Sequence, residues 1–240
     1  IRRTRKLGLD PEMVADAQVW IVIGGFIVAH LVSVIFYFPK RILENPLTLV
    51  YFWSGLSSFG GLIGAAFTTI YYFRRRGEPV LKYVDTILYG FVPAWIFGRA
   101  GCTIVFDHPG KPTDFVLGMS DKTGMVGSQL GLYWDGMVRH NLGFYEMLLA
   151  IFLTIVIYAL KNVRPYDGFP TAVVLLLYCP MRFYMDYFRL GDETYFGLTP
   201  GQYFSVLGVL LGIFLIATGK KRGLAPEPGT SAQSRPTKKK

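Results

Sequence analysis

Six apolar segments, each close to the length needed to cross a lipid bilayer, constrain this chain more than any other feature of its sequence. They cover approximately residues 18–38, 47–73, 83–105, 142–160, 169–188 and 202–218. A helix needs about 18 or more apolar residues to cross a hydrocarbon core of roughly 30 Å. The segments mix aliphatic residues with Gly, Ser and aromatics, and they do not alternate as barrel strands would. The sequence therefore predicts an all-α integral membrane protein, a polytopic helical bundle with about six spans.

The composition agrees with a membrane protein and excludes several other classes. Of the 240 residues, 52% are apolar and only 17% are charged, whereas about a quarter of a soluble domain is charged. Two cysteines are too few for a secreted disulfide scaffold. The net charge is +9, but residues 220–240 carry seven of the 25 Lys and Arg residues. We therefore attribute the basic charge to membrane topology and expect no nucleic-acid partner.

The basic residues outside the segments predict the orientation of the chain, because positively charged loops stay in the cytoplasm. With a cytoplasmic N-terminus, 17 of the 25 basic residues fall on the cytoplasmic side and six on the other. Both ends are then cytoplasmic. This orientation predicts a basic cytoplasmic segment at residues 1–17 and a transmembrane catalytic domain at 18–218, with an outward-facing loop at 106–141. Residues 219–240 are rich in Lys, Pro and Ser and predict a disordered cytoplasmic tail.

The beginning of the chain differs from that of a complete membrane protein. It opens with Ile1 and two arginines, without an initiator methionine or a signal pattern. We therefore expect that N-terminal sequence, including a seventh span, is missing.

The remaining two basic residues, Arg99 and Arg182, lie inside apolar segments. A charge at mid-bilayer costs at least about 2.5–3.5 kcal/mol, so intramembrane charges usually mark function. In the fifth segment, Arg182, Asp186 and Arg189 follow i, i+4, i+7 spacing and Tyr178 lies one turn earlier. This spacing predicts one helical face that carries all four side chains.

These charges can converge in the outer half of the membrane. The predicted orientation places Tyr145 and Glu146, at the start of the fourth segment, on that same side, and it places His140 and Asp107 in the flanking loop. Arginines that face a membrane cavity suit a phosphate, because a guanidinium offers a planar fork of donors and stays charged. A lipid headgroup is the nearest source of phosphate. The alternative is that Arg182 and Asp186 only neutralise each other, which leaves Arg99 with no acidic residue nearer in sequence than Asp107.

Three further features have simple structural explanations beside functional ones. Gly60 and Gly61 lie in a glycine run that allows either close helix packing or passage of a lipid chain. His30 in the first segment is either a satisfied core histidine or a base. Cys102 and Cys179 are expected to be small apolar fillers, because neither shows metal-ligand spacing. No metal or organic cofactor is expected.

Four segments, taken in this order and spacing, resemble the bacterial phosphatidylglycerol:prolipoprotein diacylglyceryl transferase family. The resemblance covers approximately residues 15–218. It is carried by Phe59-Gly-Gly-Leu-Ile-Gly64, by Gly98-Arg-Ala-Gly101 with Asp107 and Gly110 beyond it, by Arg139-His-Asn-Leu-Gly-Phe-Tyr-Glu146, and by Tyr178-Cys-Pro-Met-Arg-Phe-Tyr-Met-Asp-Tyr-Phe-Arg189 leading to Leu198-Thr-Pro-Gly-Gln202.

The resemblance implies a seven-span protein of the bacterial inner membrane with its active site open to the periplasmic side. Such an enzyme moves the diacylglyceryl group of phosphatidylglycerol onto the lipobox cysteine thiol of a prolipoprotein signal peptide and releases glycerol phosphate. This is the first step of lipoprotein maturation. Membrane lipid and prolipoprotein are the implied partners, and a monomer is expected.

The resemblance also implies roles for single residues. Arg99 and Arg182 would hold the headgroup phosphate, and Asp186 stands where the family has a glutamate paired with the second arginine. The expected catalytic residues are Arg99, Arg182, Tyr145, Glu146, His140 and His30. The expected substrate-binding residues are Gly60, Gly61, Gly98, Cys102, Asp107, Gly110, Tyr178, Asp186 and Arg189.

Four positions depart from the family pattern. Phe59 replaces the usual histidine, Cys102 an asparagine, His30 an arginine and Asp107 a glutamate. A phenylalanine cannot accept the thiol proton, so either His30 or His140 serves as base, or the family histidine is not essential. Two other functions stay open: a diverged paralogue that binds phosphatidylglycerol with another acceptor or without turnover, and a small membrane transporter.

Overall fold

The computed structural model describes residues 2–52, 55–120, 136–190 and 194–223. The described chain contains eight α-helices, which we number in chain order: α1 (Arg2–Lys6), α2 (Pro11–Val32), α3 (Pro39–Glu44), α4 (Ser58–Arg75), α5 (Val80–Val105), α6 (Leu142–Ala159), α7 (Phe169–Asp186) and α8 (Pro200–Arg222). A π-helical turn, Ser33–Tyr37, follows α2, and a 3₁₀ turn, Pro46–Val50, follows α3. Two short strands, β1 (Pro109–Pro112) and β2 (Arg139–Asn141), pair antiparallel.

The predicted membrane-protein fold is confirmed. Among the described residues, four helical stretches are long and apolar enough to cross a membrane: Pro11–Tyr37, Val80–Val105, Leu142–Ala159 and Pro200–Arg222. Large apolar side chains such as Val22 and Ile155 are 69% and 63% exposed on these helices, as expected of a surface that faces lipid. Helices α4 and α7, of 18 residues each, coincide with the other two predicted segments. That they also span the membrane stays a prediction.

Three boundaries differ from the sequence-based expectation. The first helical stretch begins at Pro11, within the predicted cytoplasmic segment, because Asp10 caps it by accepting the amide N–H of Glu12 at 2.9 Å. The second segment is interrupted before α4, where Gly55 adopts a φ of +71° that favours glycine. Helix α8 continues to Arg222, beyond the predicted end of the last span. Residues 121–135 of the predicted loop and 224–240 of the predicted tail lie outside the described residues.

The chain divides into two compact units. The first comprises Ile1–Ile87, Arg164–Thr171 and Leu215–Lys240. Its helices α2 and α4 pack closely through glycines: a Cβ atom added at Gly60 would lie 2.7 Å from the Cβ of Val32 and 2.8 Å from the carbonyl oxygen of Val28. A second contact of this kind joins Gly64 to the carbonyl oxygen of Gly24, which an added Cβ would approach to 2.5 Å. Small residues thus let two apolar helices approach each other.

The second unit comprises Leu88–Val163 and Ala172–Phe214. Its apolar core is built from side chains of α5, α6 and α7: Tyr89, Val92, Leu149, Leu153, Ile157, Val174, Tyr178, Cys179 and Met185. The β1–β2 ribbon, which the sequence analysis did not predict, joins the end of α5 to the start of α6. Asn141 caps α6 by accepting the amide N–H of Phe144 at 3.1 Å, and its side-chain amide donates to the carbonyl of Thr103. The start of α6 is therefore fixed against the last turn of α5.

Candidate active site

Four charged side chains form a buried ion-pair network in the second unit. Glu146 on α6 lies between two arginines: its Oε2 is 2.7 Å from Nη2 of Arg99 on α5, and its Oε1 is 3.4 Å from Nε of Arg182 on α7. Arg182 Nη1 also lies 2.5 Å from Oδ1 of Asp186, one helical turn along α7. The four side chains are between 1% and 7% exposed. Three helices thus bring two cations and two carboxylates together away from water.

The network corrects one expectation from the sequence. Arg99 has an acidic partner, Glu146, which lies 47 positions away in the chain and which the predicted orientation places on the same side of the membrane. Arg182 and Asp186, which only the alternative interpretation of the sequence paired with each other, form an ion pair. Because the formal charges of the four groups sum to zero, each guanidinium is compensated without any ligand. The carboxylates also hold both guanidinium planes in defined directions.

Asp186 also accepts a hydrogen bond from a residue at the start of α8. The hydroxyl of Thr199 donates to its Oδ2. Thr199 and Gln202 form a reciprocal cap at the beginning of this helix: the Thr199 amide donates to Gln202 Oε1 at 3.0 Å, and the Gln202 amide donates to Thr199 Oγ1 at 3.2 Å. Gln202 also donates to the carbonyl of Phe183. Thr199 thus connects Asp186 to the cap of α8; in the sequence both residues are visible only as part of the motif Leu198-Thr-Pro-Gly-Gln202.

A second polar cluster lies where α5 ends. Cys102 is in the last turn of the helix, and Asp107 and His108 follow it. The carboxylate of Asp107 contacts Nδ1 of His108, and the Cys102 thiol is within hydrogen-bond reach of both side chains. Arg99 Nη1 donates to Cys102 Sγ at 4.0 Å, which joins this cluster to the ion-pair network. All three side chains are partly exposed.

The electrostatics of this cluster favour a charged carboxylate and a charged imidazole. Partial burial acts to raise the pKa of Asp107, but the hydrogen bond from His108 and its positive charge outweigh burial and lower that pKa. Burial likewise acts to lower the pKa of His108, but the hydrogen bonds to Asp107 and Cys102 raise it overall. Cys102, expected to be an apolar filler, therefore has polar neighbours. Sequence reasoning missed His108, although it is one of only three histidines and adjoins a candidate site residue.

His140 and Tyr145 form a polar pair at the entrance to α6. Nδ1 of His140 lies 2.8 Å from the Tyr145 hydroxyl, and its ring packs 4.4 Å from the ring of Phe188. Burial lowers the pKa of His140, so it is neutral near neutral pH. Gly110 is required here for space, because an added Cβ would lie 2.8 Å from the Cβ of His140 and 2.9 Å from the Phe188 carbonyl oxygen.

One predicted member of the arginine face, Arg189, differs from expectation. Helix α7 ends at Asp186, so Arg189 lies beyond it and does not continue the face. The chain leaves the helix here because it pairs with β1: Gly110 and Arg189 form an antiparallel bridge, and the Lys111 amide donates to the Phe188 carbonyl at 2.8 Å. Tyr178 is on the predicted face, where it packs against Trp95 with 4.8 Å between ring centroids.

Three predicted site residues belong to the first unit. His30 is fully buried, with Nε2 at 2.9 Å from the Thr48 carbonyl oxygen and Nδ1 at 3.3 Å from that of Gly55. These contacts favour a structural role over that of a base. Gly60 packs tightly against α2, and a Cβ added at Gly61 would lie 3.7 Å from the Cβ of Ala29. That these glycines contact substrate stays a prediction.

Comparison with known proteins identifies the family. The family model for prolipoprotein diacylglyceryl transferase matches residues 1–218. A phosphatidylglycerol–prolipoprotein diacylglyceryl transferase of Janthinobacterium sp. (strain Marseille) is 32% identical over 226 residues, which cover 90% of this chain and 82% of that relative. One of Wolbachia pipientis subsp. Culex pipiens (strain wPip) is 30% identical over 204 residues, or 81% of this chain and 74% of the relative. The chain belongs to the prolipoprotein diacylglyceryl transferase family.

Membership of the diacylglyceryl transferase family confirms the resemblance seen in the four sequence segments. The network of Arg99, Glu146, Arg182 and Asp186 lies within the residues that the family model matches. Gly98, also predicted to bind substrate, faces open space within the described structure, since nothing lies within 4 Å of an added Cβ. That Gly98 contacts substrate stays a prediction.

Proposed function

We infer that this chain is a membrane-embedded transferase that acts in lipoprotein biosynthesis by protein lipidation. It transfers the diacylglyceryl group of phosphatidylglycerol to the cysteine thiol of a prolipoprotein. The family match over residues 1–218 carries this inference, and the buried pair of arginines in the second unit supports it. Guanidinium groups are suited to the phosphate that the donor lipid brings.

The reaction joins the thiol sulfur to the glyceryl carbon that carries the phosphate ester. The bond between that carbon and the ester oxygen breaks, and its electron pair leaves with glycerol phosphate. Negative charge therefore builds up on the phosphate as the bond breaks. Arg99 and Arg182 stabilise that charge, an effect that is often the largest contribution to catalysis when the donors are oriented in advance.

Glu146 and Asp186 orient the two guanidinium groups before the lipid binds. Glu146 lies within ion-pair distance of both arginines, and Asp186 holds Arg182 from the other side. A guanidinium presents five N–H donors, so one group can bind a carboxylate and a phosphate oxygen together. Asp186 in turn is held by Thr199. We assign Glu146, Asp186 and Thr199 as positioning residues and the two arginines as the groups that contact phosphate.

The thiol must also lose its proton, because the thiolate is the nucleophile and a free thiol has a pKa near about 8.5. Phe59 cannot take the proton, and both ring nitrogens of His30 face backbone carbonyl oxygens. Of the two histidines predicted from the sequence, His140 is therefore the better candidate, with Tyr145 as its hydrogen-bond partner. Tyr178 packs against Trp95, whose ring centroid lies 5.8 Å from the guanidinium carbon of Arg99.

The setting of the reaction follows from the same proposal. The acceptor is the lipobox cysteine of a signal peptide, and the enzyme acts as a monomer in the bacterial inner membrane with its site towards the periplasm. The charge distribution supports this orientation, because most Lys and Arg residues then lie in the cytoplasm.

The test is transfer by the purified chain in phosphatidylglycerol bilayers, read by mass spectrometry of a lipobox peptide. We expect a diacylglyceryl adduct from the wild type and at least about a 100-fold slower reaction from Arg99→Ala and from Arg182→Ala. Arg75→Ala is the matched control, since Arg75 is exposed at the end of α4. Full turnover by either site variant would refute the phosphate site. Lipid binding by the wild type without any adduct would favour the non-catalytic paralogue.

A further inference from the structure

The imidazole of His108 lies beside the ion-pair network, at the end of α5. Its Nδ1 contacts the carboxylate of Asp107, and one of its ring nitrogens lies within 4.8 Å of the Cys102 sulfur. The same sulfur accepts from Nη1 of Arg99 at 4.0 Å. Two donors that bind two oxygens of one phosphate are about 5–8 Å apart, because each N–O hydrogen bond is about 2.8 Å long. A phosphate held by Arg99 would therefore have the His108 ring as a neighbour.

The backbone holds the His108 ring in this place. Phe106 has a φ of +56°, a conformation that is strained for a bulky residue and that reverses the chain after α5. The carbonyl of His108 accepts the amide N–H of Leu142 at 3.1 Å, which ties the turn to the start of α6. The side chain of His108 is nevertheless 25% exposed. The ring is thus fixed by the protein and still accessible to a ligand.

The neighbours of His108 determine its charge and the direction of its second donor. Burial acts to lower its pKa, but the hydrogen bonds to Asp107 and Cys102 and the charge of Asp107 raise that pKa overall, against the opposing charge of Arg189. Because Nδ1 serves the carboxylate, the other N–H of the imidazolium is at Nε2, on the far edge of the ring. Two more cations lie on the adjoining strands: Arg139, whose Nη1 donates to the Gly110 carbonyl at 3.4 Å, and the exposed Lys111.

His108 and His140 have pKa values that their surroundings shift in opposite directions. Burial lowers the pKa of His140, whereas the hydrogen bonds of His108 outweigh burial and raise its pKa. Both residues belong to the β1–β2 ribbon, where Asn141 pairs with Pro109. One ring is thus suited to accept a proton near neutral pH, and the other to carry a positive charge. Two titratable groups separated in this way are typical of a base and a charged donor that act in one reaction.

We propose that the His108 imidazolium contacts the phosphate beside Arg99 and donates its Nε2–H to the oxygen that leaves the glyceryl carbon. This inference rests on the proposed function. The acceptor sulfur bonds to the glyceryl carbon, the thiol proton passes to His140 and then to solvent, and the electron pair of the broken carbon–oxygen bond stays on the ester oxygen. The phosphate thereby changes from a diester with one negative charge to a monoester with two. A cation at the leaving oxygen stabilises that second charge.

The first test measures binding without turnover, on the full chain purified in detergent. The dissociation constant of glycerol phosphate, whose phosphate carries almost two charges near neutral pH, should rise at least about 10-fold in His108→Gln and stay near the wild-type value in His108→Arg. That of phosphatidylglycerol, with one charge, should change less than about threefold. The matched control is Lys111→Gln, which removes a neighbouring exposed cation and should bind both as the wild type does. A wild type that does not bind glycerol phosphate, or a His108→Gln variant that binds it equally well, overturns the contact.

The second test follows transfer to the lipobox peptide as a function of pH. The wild-type rate should fall at low pH as His140 gains a proton and at high pH as His108 loses one, which gives a bell-shaped profile. His108→Gln should slow transfer at least about 10-fold and abolish the fall at high pH. His108→Arg, charged at every pH used, should abolish that fall while keeping the rate within about 10-fold of the wild type.

The outcomes separate this inference from the proposed function. If the arginine variant is as slow as the glutamine variant, or if the fall at high pH persists in both, the charge of His108 has no part in the reaction and the inference is wrong. If the wild type binds glycerol phosphate through His108 but transfers nothing to the peptide, the proposed function fails while the anion contact stands. If transfer occurs and His108→Gln equals the wild type, the proposed function stands without His108.

Discussion

Two buried carboxylates in apolar helices, one in each unit, are stabilised in different ways. Asp85 of the first unit is 2% exposed, and its hydrogen bonds from the described residues come from uncharged donors: the backbone N–H of Gly168 at 2.7 Å, and the backbone N–H and hydroxyl of Thr171 at 3.2 and 2.7 Å. Glu146 of the second unit is 4% exposed and pairs with Arg99 and Arg182. Asp85 thus fixes the start of α7, whereas Glu146 pairs with two arginines.

Under the proposed function, Asp85 is a structural charge and Glu146 is a charge that positions the phosphate-binding arginines. Donors that belong to the backbone cannot be transferred to a ligand without unfolding the start of α7. Guanidinium groups can share their N–H donors between a resident carboxylate and an arriving phosphate. We conclude that, in a membrane helix, a buried acid paired with side-chain cations indicates a binding site more strongly than a buried acid held by backbone donors does.

The largest effect is expected when Glu146 is replaced by glutamine. The substitution leaves two buried guanidiniums with one carboxylate, so the free energy of unfolding should fall by about 3–5 kcal/mol. Transfer should fall by at least about 100-fold, because the arginines lose their orientation. Denaturant titration and the initial rate of peptide modification measure the two effects. Glu44→Gln, at an exposed acid, is the control, and an unaltered transfer rate in Glu146→Gln would show that the comparison is wrong.

Asp85→Asn should lower the free energy of unfolding without slowing the transfer reaction. The amide accepts hydrogen bonds less strongly than the carboxylate and brings two donors of its own, so we expect a loss of about 1–3 kcal/mol in unfolding free energy. Transfer per folded molecule should equal that of the wild type. Unfolding titrations and transfer assays on the same preparation check this. A slower reaction at unchanged stability would make Asp85 functional as well.

The same contrast extends to glycines of the two units. Gly60→Ala should destabilise the protein by about 1–3 kcal/mol, since the new methyl group meets Val32 and the α2 backbone. Gly98→Ala adds a methyl group where nothing lies within 4 Å, so stability should be retained. Thermal unfolding of both variants gives the measurement. Equal losses of stability would contradict the packing described for α2 and α4, whereas slower transfer in Gly98→Ala alone would place lipid at α5.

The smallest effect concerns pH and His140. Burial lowers the pKa of this histidine, so the unfolded chain binds its proton more tightly, and stability is lost as the pH falls below about 6.5. His140→Gln should remove that part of the acid sensitivity and leave stability above neutral pH unchanged. Unfolding midpoints between neutral and mildly acidic pH test this. An unaltered pH profile would mean that His140 does not contribute to the loss of stability at acidic pH.

Much of the architecture could be predicted from the sequence because hydrophobic length is a local property. Each of the six apolar segments contains a long helix, and Arg182 and Asp186, at i, i+4 spacing, form an ion pair. The interruption before α4 was missed because a glycine with positive φ and a serine cap act over a few residues that are themselves apolar enough to continue a helix. The end of α7 was missed because its cause, pairing of the next residues with β1, is not local.

Only part of the candidate site could be predicted from the sequence, because contacts between distant residues are not a local property. Arg99 and Arg182 were evident as charges in apolar segments, and Glu146 as their neighbour on the outer side. That Glu146 lies between them depends on how α5, α6 and α7 pack. His108 was missed although Asp107 was named, because adjacency in sequence does not show that the chain reverses at Phe106.

By itself the sequence determined that this chain must lie in a membrane, which residues carry charge there, and which family it resembles, because these follow from composition, length and order along the chain. The tertiary structure alone decided the partners: Glu146 between two arginines, carbonyls around His30, and Cys102 beside Asp107 and His108. The physical reason is that the cost of a buried polar group depends on what lies within a few ångströms of it. Only the packing of helices distant in sequence determines those neighbours.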